Sequence, residues 1–194
     1  MRGGVRWTTL GEVGKISMCK RIMKNQTSPV GDIPFYKIGT FGKAPNAFIP
    51  KELYIKFKNQ YSYPKVGDIL LSASGTIGRR VIFDGEPAYF QDSNIIWLSN
   101  DETKVTNKFL YYIYETIDWQ TEGGTIQRLY NDNMMRQKVP VPSLAEQERI
   151  VSILDKFDKL VNDISEGLPA ELNARRKQYE YYRTKLLTFQ EAKE

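Results

Sequence analysis

Val139-Pro-Val-Pro-Ser-Leu-Ala-Glu-Gln-Glu-Arg-Ile-Val-Ser-Ile-Leu154 changes backbone character part-way along its length. Pro140 and Pro142 lack an amide donor and hold their neighbours extended. Ser143, with Glu146 three residues on, has the capping-box spacing of a helix start. Beyond it, Ile150, Leu154, Phe157, Val161, Ile164, Leu168, Leu172, Tyr179, Tyr182 and Leu186 fall at steps of four and three, with Arg175 at the seam position before Tyr179. Two steps of four adjoin only once, at Leu168, so the pattern is a heptad seam with one local slip. A helix with such a stripe needs a partner. Run without a break from Leu144 to Phe189, it would be roughly 65 Å long. Gly167-Leu168-Pro169 interrupts it, because proline inside a helix kinks or breaks it. Two readings remain: a hairpin of helices 144–166 and 169–190, or a continuous or kinked long arm. The apolar register carried through the interruption favours the arm, since a hairpin has no need to keep phase across its turn.

Outward from this stretch, the 194 residues suit one domain with an appendage or two small domains. Hydrophobic residues make up 41% and aromatics 12%, which supports a packed core. No apolar run is long enough to span a membrane and no signal pattern stands at the start, so a cytoplasmic chain with no membrane partner is expected. The single Cys19 excludes an internal disulfide. Histidine is absent, which removes Ser-His-Asp and Cys-His catalysis, histidine-held metals and an imidazole base. Gly75-Thr-Ile-Gly78 is neither a Walker loop nor a dinucleotide fingerprint. These absences predict a chain that is not an enzyme by itself and holds no metal or cofactor. Residues 1–142 hold 19 Lys and Arg against 13 Asp and Glu, whereas residues 143–194 hold 9 against 10. The basic excess therefore lies wholly in the first part, which fits a polyanion-binding head and a protein-binding tail.

The fold class read from these patterns is α+β. A mostly-β head with a few short helices over 1–142 precedes a coiled-coil-forming helical arm over 143–194. Trp7 to Val13 opens with an apolar anchor and a turn, and Pro34 to Ile38 is a short extended run. Ile69-Leu-Leu-Ser-Ala73 reads as a buried strand, fed by the turn Lys65-Val-Gly-Asp68. Asp84-Gly85 carries a hairpin signal, with Pro87 pushing the returning segment to an edge. Ile95-Ile-Trp-Leu98 follows the polar loop Gln91-Asp-Ser-Asn94. Thr106 or Asn107 caps a helix over Lys108 to Trp119, and Asn131 to Arg136 fits a single helical turn.

The stretch from Val139 to Leu154, with Asp155 to Asp163 and Ala174 to Arg183, resembles the specificity subunits of type I restriction-modification systems. Leu144-Ala-Glu146-Gln147-Glu-Arg-Ile150 is similar to that family's "Leu-x-Glu-Gln-x-x-Ile" helix start. Val66-Gly-Asp-Ile-Leu-Leu-Ser72 with Gly75-Thr-Ile-Gly78, and Gly124-Thr-Ile-Gln-Arg-Leu129, look like its target-recognition domain. The resemblance runs from Trp7 to Phe189. It implies a target-recognition domain over 1–142 and a conserved helical region over 143–194 for dimerisation and subunit docking. The family's full-length subunits carry two of each, so this chain looks like a half-subunit. The resemblance implies double-stranded DNA as ligand, with a second copy through antiparallel helices, or a second half-subunit, as partner. Modification and restriction subunits are the further partners it implies. S-adenosylmethionine, ATP and magnesium are then expected only in those partners, which methylate adenine and cut DNA.

Under that reading, loop residues that donate to phosphates and base edges are the candidate DNA contacts. They are Lys20, Arg21 and Lys24 in a basic loop, and Ser72, Ser74, Gly75, Thr76, Arg79 and Arg80 around the glycine turn. Gln91 and Asn94, with Thr125, Gln127 and Arg128, complete the set. The seam residues are the candidate interface, with Glu146, Arg149, Arg175 and Arg176 as exposed charges for docking. Arg175 is expected to meet a carboxylate such as Asp155 or Asp158 on a partner chain. A rival reading is a coiled-coil protein that modulates a restriction complex without touching DNA. A standalone nuclease is disfavoured by the missing histidine, metal motif and phosphate loop.

Overall fold

A computed structural model of the chain describes residues 5–123, 127–162 and 169–189. By contacts it divides into two units. One comprises 10–100 and 118–137, and the other comprises the stretches up to Thr9, 101–117 and from Lys138 on.

The first of these is built on a four-stranded antiparallel sheet and a three-stranded sheet. After β1 (Arg6–Thr9), a one-turn helix α1 (Leu10–Val13) leads into β2 (Gly14–Ser17). The four-stranded sheet has the order β2-β8-β5-β6, with β5 at Ile69–Ser72, β6 at Arg80–Ile82 and β8 at Ile95–Asn100. All four β5 residues are buried, as their unbroken apolar run predicts. The three-stranded sheet is β4-β3-β7, formed by β3 (Ile33–Tyr36), β4 (Phe48–Ile49) and β7 (Tyr89–Phe90). Phe35, Phe41, Ile49, Leu70, Tyr89, Ile95 and Trp97 belong to one buried cluster that joins both sheets. A ten-residue helix α2 (Lys51–Gln60) buries Tyr54, and α4 (Asn131–Met135) buries Met134.

Two expectations change here. The hairpin is made by β5 and β6 across the Gly75–Gly78 turn, with Leu70 opposite Val81. After Asp84-Gly85 the chain leaves that sheet, and β7 pairs parallel to β3, with Phe35 opposite Tyr89. The helix α2 has no counterpart in the sequence reading. Only a few of its positions are apolar, so its periodicity is faint among lysines.

In the second unit, β1 pairs antiparallel with β9 (Lys138–Val141), placing Trp7 opposite Pro140. Pro140 therefore sits in a two-stranded edge pairing, where its missing donor is tolerated. The helix α3 (Asn107–Ile113) is capped by Thr106, whose side chain accepts from the Phe109 amide. It stops six residues short of Trp119, because 3-10-type bonds from Glu115 to Tyr112 and from Thr116 to Ile113 tighten its end. The helix α5 (Leu144–Asn162) starts at the expected cap, with the Glu146 amide 3.4 Å from Ser143 Oγ. Ile150 and Leu154 on α5 are fully buried, as are Phe109, Leu110 and Ile113 on α3, and the two helices pack together. The final helix is α6 (Pro169–Leu187).

The long arm is not what forms. Phe157 on α5 stacks against Tyr182 on α6 with ring centroids 5.7 Å apart. In one continuous helix, 25 residues apart, they would lie about 37 Å from one another. The helices therefore fold back, as the hairpin reading had it. The apolar stripe is satisfied locally: α3 covers its first turns and α6 covers Phe157. Nor does the chain divide at Ser143. Residues up to Thr9 and 101–117 group with the helices, because β1 pairs with β9 and α3 packs on α5. The Gly167-Leu168 interruption, Ile164 and the side chain of Val161 lie outside the described residues.

Candidate nucleic-acid interface

Three loops of the two-sheet unit are tied together by hydrogen bonds. The β5–β6 loop closes on Ser72, which is buried. Its Oγ donates to the Thr76 carbonyl at 2.5 Å and accepts from the Arg79 amide at 2.9 Å. Gly78 has φ +83°. A Cβ there would stand 2.9 Å from Trp119 Nε1, so the turn needs glycine both for its dihedral and for room. Gly75 at φ +66° is exposed.

The loop from Gln91 to Asn94 turns on Ser93, a non-glycine residue at φ +54°. Such a conformation persists only where the surroundings enforce it. Here the Asn94 amide bonds the Asp92 carbonyl at 2.6 Å, and the Ala73 amide bonds the Asn94 carbonyl at 2.7 Å. The Asn94 side chain then meets two donors. Its Oδ1 accepts from Ser74 Oγ at 2.8 Å and from an Arg128 Nη2 at 3.1 Å. Arg128 lies on the third loop, held by reciprocal backbone bonds with Glu122 at 2.9 and 3.0 Å. Bridging to Ser74 and the bond from the Leu129 amide to the Ala73 carbonyl, at 2.9 Å, complete the join.

The structure sorts the sequence candidates. Ser74, Asn94 and Arg128 converge, and exposed Gly75 and Thr76 stand in the loop that Ser74 opens. Arg21 joins the neighbouring loop through a 2.8 Å ion pair with Asp92. Lys24 is exposed, and Lys20 lies with its ammonium 5.1 Å from the centre of the Tyr61 ring. Others make hydrogen bonds within the fold. Ser72 is spent on its loop, and Arg79 donates to the Phe41 carbonyl at 2.9 Å. Gln91 accepts from the Ile38 amide at 2.9 Å, bracing the loop after β3. Gln127 accepts from Thr121 and donates to the Gly123 carbonyl, so it braces its own loop. Arg80 is half-buried on β6. Thr125 lies outside the described residues.

Lys43 was missed. It is exposed beside Gly39, Gly75, Thr76 and Arg79, around a shallow pocket of about 260 Å³. Two glycines and two lysines within Lys37-Ile-Gly-Thr-Phe-Gly-Lys43 were the available signal. Backbone amides beside small residues together with an ammonium are chemistry suited to phosphate. Behind the loops, burial pushes the Cys19 thiol up to about 12, so it stays protonated and unreactive.

The helical candidates are placed differently. Ile150 and Leu154 are covered by α3, and Phe157 by Tyr182, so they present no free seam. Leu172, Tyr179 and Leu186 are half-buried, and Leu168 lies outside the described residues. Arg175 pairs with Glu171 one turn away on its own helix. Asp155 accepts from the Tyr112 hydroxyl at 2.5 Å within this chain. Arg149 is occupied by Glu146 through two contacts of 2.7 Å.

The family model described as type I restriction modification DNA specificity domain matches residues 4–174. The chain belongs to that family. It is 64% identical over 181 residues to a protein of Haemophilus influenzae named as a type I restriction enzyme specificity subunit, covering 93% of this chain and 47% of that one. It is 32% identical to a type I restriction enzyme specificity subunit of Escherichia coli, covering 96% and 49%. The chain thus spans about half the length of the curated relatives it matches. A crystal structure of the HsdS subunit from Thermoanaerobacter tengcongensis superposes with a TM-score of 0.62 at 18% identity, over 96% of this chain and 45% of that one. At that identity the likeness is one of fold. Among the described residues of this specificity-domain chain, no helix is long and apolar enough to cross a membrane. None of them forms a cluster of three or more metal-ligating side chains.

Proposed function

We propose that this chain binds double-stranded DNA in a sequence-dependent way, acting as half of a type I specificity subunit. The observation that carries the reading is the joined loop set, in which exposed Arg128 is held by buried Ser74 through Asn94. Thr76 and Lys43 supply exposed donors at the β5–β6 loop, Lys24 is exposed as well, and the excess of basic residues in 1–142 has the sign a polyanion ligand needs. Family membership supports the same conclusion.

In the cell, on this reading, the chain works in the cytoplasm and performs no chemistry itself. Modification subunits that use S-adenosylmethionine to methylate adenine, and restriction subunits that use ATP and magnesium to cut, take their target from it. A second copy, or another half-subunit, supplies the second DNA-reading half through antiparallel pairing of helical segments. Tyr181 on α6, 60% exposed, is an apolar side chain available for that pairing. A two-fold pair would favour an inverted-repeat site.

Fluorescence anisotropy against a random duplex pool, followed by selection and sequencing, tests the reading. Salt-sensitive binding with an enriched half-site is the expected result. Absence of both would favour a protein that modulates a restriction complex without touching DNA.

A further inference from the structure

We infer that Arg128 is the base-reading side chain of this interface and that its target is guanine, whereas Asn94 positions Arg128 and does not read adenine. The inference rests on the proposal that the chain binds duplex DNA. It follows from counting donors and acceptors at the joined loops.

An asparagine that reads adenine accepts from N6 with its oxygen and donates to N7 with its nitrogen. Asn94 Oδ1 already accepts two hydrogen bonds, from Ser74 at 2.8 Å and from Arg128 at 3.1 Å, which fills both of its lone pairs. Only the amide nitrogen remains, and a donor alone does not make the bidentate pair. The Ser74 end is 5% exposed, so this arrangement is anchored from below. Arg128 is the reverse case. It is exposed, it carries no ion pair among the described residues, and it spends one of its five N–H donors on Asn94. Arg21 is neutralised by Asp92, and Arg79 is turned toward the Phe41 carbonyl. Arg128 therefore keeps an unneutralised planar fork, with its backbone fixed by Glu122 and its guanidinium oriented by Asn94. Two acceptors on one base edge match that fork, and guanine O6 and N7 are the pair that offers them.

The experiment is selection and sequencing with the full chain, run in parallel on wild type, Arg128→Ala, Arg128→Lys, Asn94→Asp and Ser74→Ala. Circular dichroism melts are recorded for each. Arg128→Ala and Arg128→Lys are expected to lose discrimination at one G·C pair by about 10- to 100-fold while the rest of the motif stays. Lysine keeps the charge but not the fork, so charge alone does not restore the preference. Asn94→Asp retains the acceptor that orients Arg128. It also sets a carboxylate against Arg128, as Asp92 stands against Arg21, so it is expected to blunt the same G·C position and to leave every A·T position intact. Ser74→Ala is expected to blunt the same G·C position and no other. Three results overturn the inference: an even loss of affinity with an intact motif for Arg128→Ala, full retention of the motif by Arg128→Lys, or loss of an A·T position in Asn94→Asp. All three leave DNA binding standing. A wild-type chain that selects no motif overturns this inference and the proposed function together.

Discussion

Gln147 is fully buried, and every polar atom of its side chain is used. Its oxygen accepts from the Thr106 amide at 2.9 Å, and its nitrogen donates to the carbonyls of Lys104 at 2.8 Å and Pro142 at 2.9 Å. The residue thus locks the start of α5 to the cap of α3. Replacing it with alanine strands three backbone groups, and a buried unsatisfied group costs about 1–3 kcal/mol. Gln147→Ala is expected to lower the unfolding free energy by about 3 kcal/mol, read from urea melts. Cys19 offers a second check. Burial raises its thiol from 9.0 to about 12, and burial likewise raises the hydroxyls of Tyr63, Tyr89 and Tyr112. Each raised group adds stability that is fully present below its unfolded value. For Cys19 that stability fades from about pH 9 and is gone above about pH 12. Chemical melts should therefore weaken on going alkaline, and iodoacetamide at pH 8 should label Cys19 only at the rate of unfolding. Labelling as fast as a free thiol would contradict this burial. At this scale the sequence shows donors but not how they are spent. Ser72, Gln91 and Gln127 looked as available as Arg128, and only the folded loops show that their hydrogen bonds go to nearby groups.

Among elements, the α5–α6 pair separates the two readings that the seam left open. Heptad spacing states that a helix wants a partner, and it is silent about whether that partner is another chain or the next helix. Phe157 and Tyr182 answer for this chain, with the Glu115–Arg183 ion pair, 2.5 Å long, tying α6 to the α3 segment of the same unit. Cysteines at Phe157 and Tyr182, in a Cys19→Ser background, are expected to be bridged within one chain by a short bismaleimide. A continuous arm would keep them about 37 Å apart and yield only cross-links between chains. The loop after β3 makes its own prediction. Lys43→Ala is expected to weaken binding evenly across sequences and to lower the salt slope by about 1, as loss of one phosphate contact would. A change confined to one base position would instead make Lys43 a reader. Local pattern was enough for β5, for the Thr106 cap and for Ser143. It failed for α2, whose few apolar positions are hidden among lysines, and for β7, whose parallel partner lies far back in the chain.

For the whole molecule, the net charge of +5 sets an expectation about association more than about fold. Binding to duplex DNA should fall steeply with salt, with a log–log slope near −0.9 for each phosphate neutralised, measurable by anisotropy between about 50 and 200 mM. A flat salt response would argue against backbone contacts altogether. The sequence by itself determined the α+β class, the buried β5 strand, the proline-bounded start of α5 and the absence of histidine chemistry. All of these follow from residue type and short-range spacing, which act within a few positions of the chain. Only the tertiary structure decided that the seam is covered from within and that residues up to Thr9 and 101–117 belong with the helices. It alone showed which loop donors are already spent on hydrogen bonds within the chain. Those outcomes depend on pairings between residues far apart in sequence, such as Trp7 with Pro140, Phe157 with Tyr182 and Asn94 with Arg128. No local period encodes such pairings, because whichever long-range contact buries a stripe or fills a lone pair leaves the same short-range pattern behind.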